Sequence, residues 1–196
     1  EHQQGLFFAQ KSVSMIPGLA LNPTSSDFVL DLCAAPGGKT TQLASLMNNK
    51  GLIIANEQDK YRINALTANI QRCGVMNAAM TQMNALSIND TFDKILLDAP
   101  CSGTGLIKGE TQRSRQILTE WNQRYIKAMS QVQKKMILHA YHLLKDKGTL
   151  GYATCSLEPE ENEEVVDHLL KNTEARLEKI DLPRRQNFLK AKPLWD

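Results

Sequence analysis

The sequence lacks the features that mark several large classes of protein. No apolar run approaches the ~20 residues that a membrane-spanning helix needs, so we expect no membrane insertion. Charge of neither sign dominates, because 23 Lys and Arg stand against 21 Asp and Glu. The resulting net charge of +2 allows a nucleic-acid partner and does not require one.

Closely spaced cysteines are also missing. The four cysteines are Cys33, Cys73, Cys101 and Cys155. Their wide separation excludes the short spacings of a zinc site or a CxxC redox motif, and it predicts free thiols in a reducing compartment such as the cytoplasm. His139 and His142 lie three residues apart but match no ligand pattern, so we expect no bound metal.

Strand-like and helix-like segments alternate along the chain. Strands are predicted at 27–32, 51–56, 78–83, 92–98 and 148–155. Apolar residues recur at helical spacing in 39–49 and 59–74, and again over 121–144. The alternation predicts an α/β fold in which a mostly parallel sheet carries helices on both faces.

The length of 196 residues suffices for one domain and not for two of ordinary size, so we expect a single domain. It divides into a lead-in segment at 1–26, a core at 27–171 and a C-terminal tail at 172–196. The chain begins at Glu1 rather than at a Met, and we expect it to be part of a longer protein.

An acid-rich segment follows the last predicted strand. Pro159 is expected to open a helix whose first turn carries Glu160, Glu161, Glu163 and Glu164. Carboxylates at a helix N-terminus interact favourably with the helix dipole, by roughly 0.3–1 kcal/mol each. The sequence therefore assigns these acids a stabilising role and no chemistry.

A run of small residues follows the first predicted strand. Cys33, Ala35 and Gly37 stand at alternate positions after Asp31, in the places of the small residues of a D-x-G-x-G-x-G loop. Such loops hold nucleotide-type cofactors against a helix N-terminus, because small side chains let the cofactor approach the backbone. The predicted cofactor segment comprises Cys33, Ala34, Ala35, Pro36, Gly37, Gly38 and Lys39.

Polar residues after the next two strands extend this prediction. Glu57 lies 19 residues after Gly38, where a carboxylate commonly accepts hydrogen bonds from both ribose hydroxyls of an adenosine-containing cofactor. Asn84 follows the third strand, and its side-chain carbonyl is a candidate acceptor for the adenine amino group. Asn is equally common as a turn residue.

The same segment permits a second interpretation. GGKTT resembles the end of the P-loop motif, and KILLDAP resembles a Walker B strand. Cys33, however, stands where the motif requires its first glycine, and Pro36 removes one of the amides that would hold phosphate. A P-loop nucleotide hydrolase is therefore an alternative that the sequence fits less well.

Two cysteines lie where apolar runs end. In LLDAPCSGTG the run ends in Asp98, Pro100 and Cys101, and in GYATC it ends in Cys155. Each thiol alone is explained equally well as a buried core residue. Ligands bind outside the carboxyl ends of parallel strands, so the two thiols, Asp98 and the cofactor loop together favour a chemical role.

Three motifs, DLCAAPGGKTTQLA, ILLDAPCSGTG and ATCSLEPEENEEVV, resemble in order those of the RNA 5-methylcytosine methyltransferases of the Sun (NSUN/Fmu, RsmB-like) family. The resemblance runs from about Gly5 to Val166. It implies a Rossmann-like class I methyltransferase fold, S-adenosylmethionine as the cofactor and RNA, ribosomal or transfer, as the substrate. It also implies a cytoplasmic enzyme, nucleolar or nuclear in a eukaryote, and we expect a monomer.

By this resemblance the two thiols have separate roles. Cys155 is the nucleophile that adds to carbon 6 of cytosine, and Cys101 assists release of the methylated base. Asp98 holds the ring nitrogen 3 and the amino group of the base, and it is also a candidate contact to the cofactor. DNA cytosine-5 methyltransferases instead use the Pro-Cys thiol as the nucleophile, so the presence of both cysteines favours RNA.

The resemblance and the charge pattern add further candidates. Lys39 matches a family lysine in the active site, near the target base or the cofactor. Lys108, Arg113 and Arg115 are placed in a loop after Gly105, where a basic segment would contact RNA phosphates.

Two features depart from the family pattern. Many members carry Asp where this chain has Asn84, and the family core normally continues past Asp196 into a final strand pair. We therefore expect this C-terminal strand pair to be absent from the sheet. A catalytically silent RNA- or cofactor-binding domain of the same fold is the alternative function, against which the intact Asp98, Cys101 and Cys155 argue.

Overall fold

The computed structural model describes residues 1–180. Its helices are Ser12–Leu21 (α1), Gly38–Leu46 (α2), Arg62–Arg72 (α3), Gln112–Glu120 (α4), Gln123–His142 (α5) and Glu163–Asn172 (α6). Its strands are Phe28–Asp31 (β1), Leu52–Asn56 (β2), Ala78–Thr81 (β3), Phe92–Asp98 (β4) and Leu144–Ala153 (β5). Short 3-10 turns occur at Ala85–Ser87, Thr104–Leu106 and Pro159–Glu161.

The chain forms two compact units. The first contains Glu1–Asp98 and His142–Tyr152, and the second contains Ala99–Tyr141 and the described residues from Ala153 onward. Within the described part of the chain, no helix has both the length and the apolar character that crossing a bilayer requires. Of the predicted tail at 172–196, residues 181–196 lie outside the described residues.

The sheet of the first unit has the strand order β3-β2-β1-β4-β5. Strand β1 pairs in parallel with both β2 and β4, and β2 pairs in parallel with β3. Hydrogen bonds from Phe92 N–H to Leu143 O and from Ala99 N–H to Ala153 O align β5 with β4 in the same direction. The chain reverses its order of strands between β1 and β4, and such a point is where α/β sheets bind ligands, at the carboxyl ends of the strands.

Apolar side chains bury both faces of this sheet. Val29, Ile53 and Leu96 share one face, where α1 and α2 add Leu21, Leu43, Ala44 and Met47 to a single cluster. On the opposite face the side chains of Leu30, Ile95 and Leu97 are also fully buried. Burial on both faces explains why β1 and β4 appear in the sequence as continuous apolar runs rather than as alternating ones.

The predicted strands are confirmed, with shifted ends, and so is the long helix at 121–144, which the structure has as α5 at Gln123–His142. Helix α4, which precedes α5, was not predicted, and the chain is extended at Trp121 between the two helices. Asn122 begins α5, because its side-chain oxygen accepts the Tyr125 N–H at 2.8 Å and caps the helix. At the other end, Leu144 begins β5 instead of ending a helix.

Helix α1 was not predicted, since the sequence analysis treats 1–26 only as a lead-in segment. Pro17 lies inside this helix, and proline lowers any expectation of a helix from sequence. The helix is held by tertiary packing: Leu21 is buried in the core, and Gln42 of α2 donates a hydrogen bond to Met15 O at 2.8 Å.

Replacing Leu43 by alanine tests the described core. Leu43 is 0% exposed, so Leu43→Ala should lower the free energy of unfolding by about 2–5 kcal/mol. Leu52→Ala is the matched control, because Leu52 is 42% exposed and its truncation should cost well under about 1 kcal/mol. Urea denaturation measures both variants. Equal losses of unfolding free energy at the two positions would contradict the placement of Leu43 in the core.

Candidate functional site

The predicted cofactor segment forms a tight turn between β1 and α2. Ala34 N–H donates to Asn56 O at 2.8 Å, and Gly37 N–H donates to Ala34 O at 2.7 Å. Two side chains of α3 hold the turn from outside: Arg62 donates to Ala35 O and Asn69 donates to Pro36 O, each at 2.8 Å. The turn is therefore fixed before any ligand binds.

Gly37 explains why this turn needs glycine. Its φ of +103° is a conformation that residues with a Cβ rarely adopt, and an added Cβ would lie 3.1 Å from Leu66 Cδ1. Gly37 also precedes α2, whose first N–H groups have no partner within the helix. Backbone N–H groups at a helix start suit the anionic or polar part of a cofactor.

Asp31 is a buried carboxyl at the end of β1. Its Oδ2 accepts a hydrogen bond from the Thr40 hydroxyl at 2.7 Å, and its Oδ1 is buried with no hydrogen-bond partner. Burial raises the pKa of Asp31 to about 7, although the Thr40 hydrogen bond opposes that shift. Burial and the nearby Asp31 also raise the pKa of the Cys33 thiol, to about 12, so Cys33 stays protonated at neutral pH.

Glu57 follows β2, and its two carboxylate oxygens differ in their contacts. Oε1 accepts the Asp59 N–H at 2.9 Å, whereas Oε2 is buried with no hydrogen-bond partner and lies 3.4 Å from Arg62 Nη1. A buried carboxylate oxygen without a hydrogen bond is costly unless a ligand supplies a donor, and Glu57 is only 5% exposed. This geometry fits a ligand with hydroxyl donors, such as a ribose.

Asn84 is exposed and caps the 3-10 turn at Ala85–Ser87. Its side-chain carbonyl accepts the Leu86 N–H at 2.9 Å. The observed contact is the turn role that the sequence left open, and contact with adenine stays a prediction.

Lys39 and Asp98 form an ion pair in the first unit. Lys39 Nζ donates to Asp98 Oδ2 at 2.6 Å, and the two side chains are 18% and 33% exposed. Lys39 lies at the start of α2 and Asp98 at the end of β4. The pair orients the Asp98 carboxylate at the edge of the sheet.

The second unit brings the two predicted thiols together. Cys101 Sγ and Cys155 Sγ lie 3.0 Å apart, and Cys155 N–H donates to Cys101 Sγ at 3.3 Å. Cys155 is exposed and Cys101 is partly buried. Gly105 N–H donates to Cys155 O at 3.0 Å, and a Cβ at Gly105 would lie only 2.9 Å from that oxygen. The buried-core explanation therefore fails for Cys155.

The surroundings of Cys101 favour the protonated form of its thiol. The hydrogen bond with Cys155 and then burial raise the pKa of the Cys101 thiol far above its usual range. Cys101 therefore stays protonated at neutral pH and can donate its S–H to Cys155 Sγ. A hydrogen-bond donor stabilises a thiolate, so this geometry favours Cys155 as the nucleophile of the pair.

The basic residues do not all lie in the predicted loop. Lys108 does, but Arg113 and Arg115 lie on α4, which Thr111 caps by accepting the Ser114 N–H at 3.1 Å. The prediction of a loop is wrong there because the capping threonine was not recognised. All three basic side chains are exposed, and Arg115 lies 3.4 Å from Glu110.

The assignment of Glu161 as a helix-dipole acid is wrong. Glu161 is 0% exposed and ends the 3-10 turn that precedes α6, where it accepts hydrogen bonds from Ser102 and Gln133. The spacing of the residues indicates this burial: Glu161, Val165 and Leu169 recur every four residues, and all three are buried. An acid on the apolar face of a helical pattern is a candidate buried group.

Comparisons with known proteins point to one enzyme class. Residues 18–192 match the family model described as 16S rRNA methyltransferase RsmB/F. A tRNA (cytosine(49)-C(5))-methyltransferase of Pyrococcus abyssi is 45% identical over 186 residues, or 93% of this chain and 58% of the relative. A ribosomal RNA small subunit methyltransferase F of Psychromonas ingrahamii is 44% identical over 190 residues, or 93% and 39%. The chain thus spans only part of the length of these relatives.

Solved structures agree with the fold. NSun6 from Pyrococcus horikoshii, solved with SFG, has a TM-score of 0.79 at 37% identity and covers 87% of this chain and 43% of that one. A methyltransferase homologue from the same organism has a TM-score of 0.76 at 40% identity, with 87% and 53% covered. These structures confirm the predicted Rossmann-like methyltransferase fold.

The raised pKa of Asp31 predicts a specific pH dependence of stability. Its folded pKa of about 7 exceeds the ordinary 3.8, so the folded protein holds this proton more tightly and loses stability as the pH rises from about 4 to 7. Asp31→Asn cannot ionise and keeps an acceptor for Thr40. The free energy of unfolding of Asp31→Asn, relative to that of wild type, should rise by up to about 1.4 kcal/mol per pH unit in that window.

Urea denaturation between pH 4.5 and 8.5 measures this difference. Thr40→Val serves as the control, because it removes the hydrogen bond that stabilises the ionised form and should extend the upper end of the window to higher pH. A difference between Asp31→Asn and wild type that does not change with pH would contradict the assignment.

Proposed function

The chain belongs to the 16S rRNA methyltransferase RsmB/F family, and we propose that it transfers a methyl group from S-adenosylmethionine to carbon 5 of a cytosine in RNA. The observation that carries this proposal is the pair of thiols, with an exposed Cys155 Sγ 3.0 Å from Cys101 Sγ. Relatives named for transfer RNA and for ribosomal RNA match at 45% and 44% identity, which supports RNA as the substrate class and favours neither kind.

The first unit supplies residues that suit the cofactor. NSun6 was solved with SFG, an S-adenosylmethionine analogue. In this chain the backbone of the turn at 33–39 would hold the cofactor, and Glu57 Oε2, which has no hydrogen-bond partner in the protein, would accept a hydrogen bond from a ribose hydroxyl. When bound, S-adenosylmethionine supplies the methyl group from its sulfonium centre. Asn84 is the proposed neighbour of the adenine.

Cys155 and Cys101 have different roles in the reaction. Carbon 5 of cytosine is a poor nucleophile until another group adds at carbon 6. The Cys155 thiolate forms a bond to carbon 6. After methylation of carbon 5, solvent accepts the proton on that carbon, and the electrons of the broken C–H bond restore the double bond between carbons 5 and 6 as the bond to Cys155 breaks. Cys101, which holds its proton, assists this final elimination by donating its S–H to the departing Cys155 sulfur.

Asp98 is the proposed contact to the base. Its carboxyl holds ring nitrogen 3 and the amino group of cytosine, which supports protonation of the ring as the adduct forms. Lys39 fixes the orientation of that carboxyl through its bond to Oδ2. Lys108, Arg113 and Arg115 are proposed contacts to RNA phosphates. The single catalytic domain at 1–196, the monomeric state and the compartment stay predictions.

Cofactor binding is tested by calorimetry. Wild type should bind S-adenosylmethionine without magnesium, and Glu57→Gln should weaken binding about 10- to 100-fold, because hydrogen bonds to a charged group contribute about 1.5–3 kcal/mol. The exposed Asp90 provides the control Asp90→Asn, which should bind as wild type does. Tight magnesium-dependent binding of ATP, with no affinity for S-adenosylmethionine, would identify a P-loop hydrolase instead.

The two thiols are tested by trapping the adduct. Wild type, Cys101→Ala, Cys155→Ala and the control Cys73→Ala are incubated with S-adenosylmethionine and unmodified total RNA, then run on a denaturing gel. Cys101→Ala should attack and methylate but fail to release, which gives a slow, nuclease-sensitive band. Cys155→Ala should give neither a band nor methylation.

Two results would count against the proposal. A band in Cys155→Ala but not in Cys101→Ala would exchange the two roles. Retained binding of S-adenosylmethionine, with no band and no methyl transfer by any of the four proteins, would favour the catalytically silent binding domain.

A further inference from the structure

Glu161 has an unusual position for an acid. It is 0% exposed, compared with 1% for Asp31 and 5% for Glu57, the other buried acids of the described residues. Burying a carboxylate is costly unless it is paired and hydrogen-bonded. The groups that donate hydrogen bonds to Glu161 offset this cost, and they indicate the role of this residue.

Those groups flank Cys101 on both sides. Glu161 Oε1 accepts the Ser102 N–H and one Gln133 side-chain N–H, each at 2.9 Å. The same Gln133 nitrogen donates to Pro100 O at 2.8 Å. The peptide groups immediately before and after Cys101 are therefore both held, one by Gln133 and the other by Glu161.

A chain of hydroxyls extends this hold to the second thiol. The Ser102 hydroxyl donates to Glu161 Oε2, and the Ser156 hydroxyl lies 3.1 Å from Ser102 Oγ. A hydroxyl has only one proton to donate, so Ser156 must be the donor to Ser102. Because Ser102 follows Cys101 and Ser156 follows Cys155, the two hydroxyls join the two thiol-bearing segments.

We propose that Glu161 is a positioning residue for the thiol pair: with Gln133 and the Ser102 and Ser156 hydroxyls, it holds Cys101 and Cys155 at contact distance. A carboxylate accepts hydrogen bonds and donates none. Glu161 therefore fixes the direction of donation along the chain, from Ser156 to Ser102 and from Ser102 to the carboxylate. The part of this inference that concerns turnover rests on the proposed methyl transfer.

Glu161→Gln is the sharpest variant, because it keeps the shape and changes the donor pattern. One oxygen can still accept the Ser102 and Gln133 N–H groups, but the other atom becomes an amide nitrogen that faces the Ser102 hydroxyl. That hydroxyl must then turn its proton away, towards Ser156. Ser102→Ala removes the same hydroxyl without altering the buried acid, and it decides the question if Glu161→Gln does not fold.

The matched control is Glu164→Gln. Glu164 comes from the same acid-rich segment and its side chain is 44% exposed, where it forms an ion pair with Lys134 at 3.2 Å. This control removes one carboxylate charge without touching either thiol-bearing segment.

Two readouts separate positioning from general stability. In methyl-transfer assays on unmodified RNA, Glu161→Gln and Ser102→Ala should lower kcat about 10- to 100-fold and leave the KM for S-adenosylmethionine unchanged, since a small misplacement of reacting groups has effects of this size. Without RNA or cofactor, the rate at which diamide oxidises Cys101 and Cys155 to a disulfide should fall about tenfold. Mass spectrometry of the linked peptide measures that rate, and diamide takes up the two protons and two electrons.

The outcomes are distinct. If kcat and the oxidation rate of both variants match those of Glu164→Gln, the proposal is overturned while the methyltransferase function stands. A loss of kcat with an unchanged oxidation rate also overturns it, because the thiols are then still in place. If wild type methylates no RNA, the proposed function fails, and the oxidation rates still decide whether Glu161 positions the thiols.

Discussion

The parallel pairing of β1 with both β2 and β4 is the constraint on which the first unit depends. It brings the carboxyl ends of the three strands to one edge of the sheet, and each ends in or next to an acid: Asp31, Glu57 or Asp98. Concentrated negative charge makes each further ionisation harder, and it contributes to the raised pKa of Asp31. Lys39 and Arg62 are the cations that pair with this edge.

In the second unit the equivalent constraint is polar rather than apolar. Short hydrogen-bonded segments, and not a regular sheet, carry Cys101 and Cys155. Thr104 Oγ1 accepts the Leu157 N–H at 2.9 Å, and Asn162 donates to Ser156 O and Glu158 O, so the loop after Cys155 is tied down at several points.

The sequence reveals the sheet and the cofactor turn because both follow from local patterns. Continuous apolar runs indicate β1 and β4, and small residues at alternate positions indicate the turn that Gly37 closes. The exact start of α5 was harder to predict, because a capping contact at Asn122 sets it and the apolar periodicity does not mark it. Leu144 fits a helix end and a strand start equally well, so only tertiary pairing with β4 assigns it.

Glu161 shows what composition conceals. An acid in a run of acids suggests a solvated helix start, and its burial depends on partners that lie 28 and 59 residues away in the sequence, Gln133 and Ser102. The contact between the two thiols likewise joins residues that lie 54 positions apart in the sequence. Long-range contacts of this kind leave little local trace, whereas the identity of the two cysteines was recognisable from their motifs.

The acidic edge of the sheet has a consequence for turnover under the proposed function. S-adenosylmethionine carries a positive sulfonium, and the spent cofactor has a neutral sulfur in its place. Carboxylates attract the charged form more strongly than the neutral one, so the same side chains that help recruit the fresh cofactor hold the used one less tightly. Glu57 and Asp98 would in this way bias the exchange of cofactor forward and limit inhibition by product.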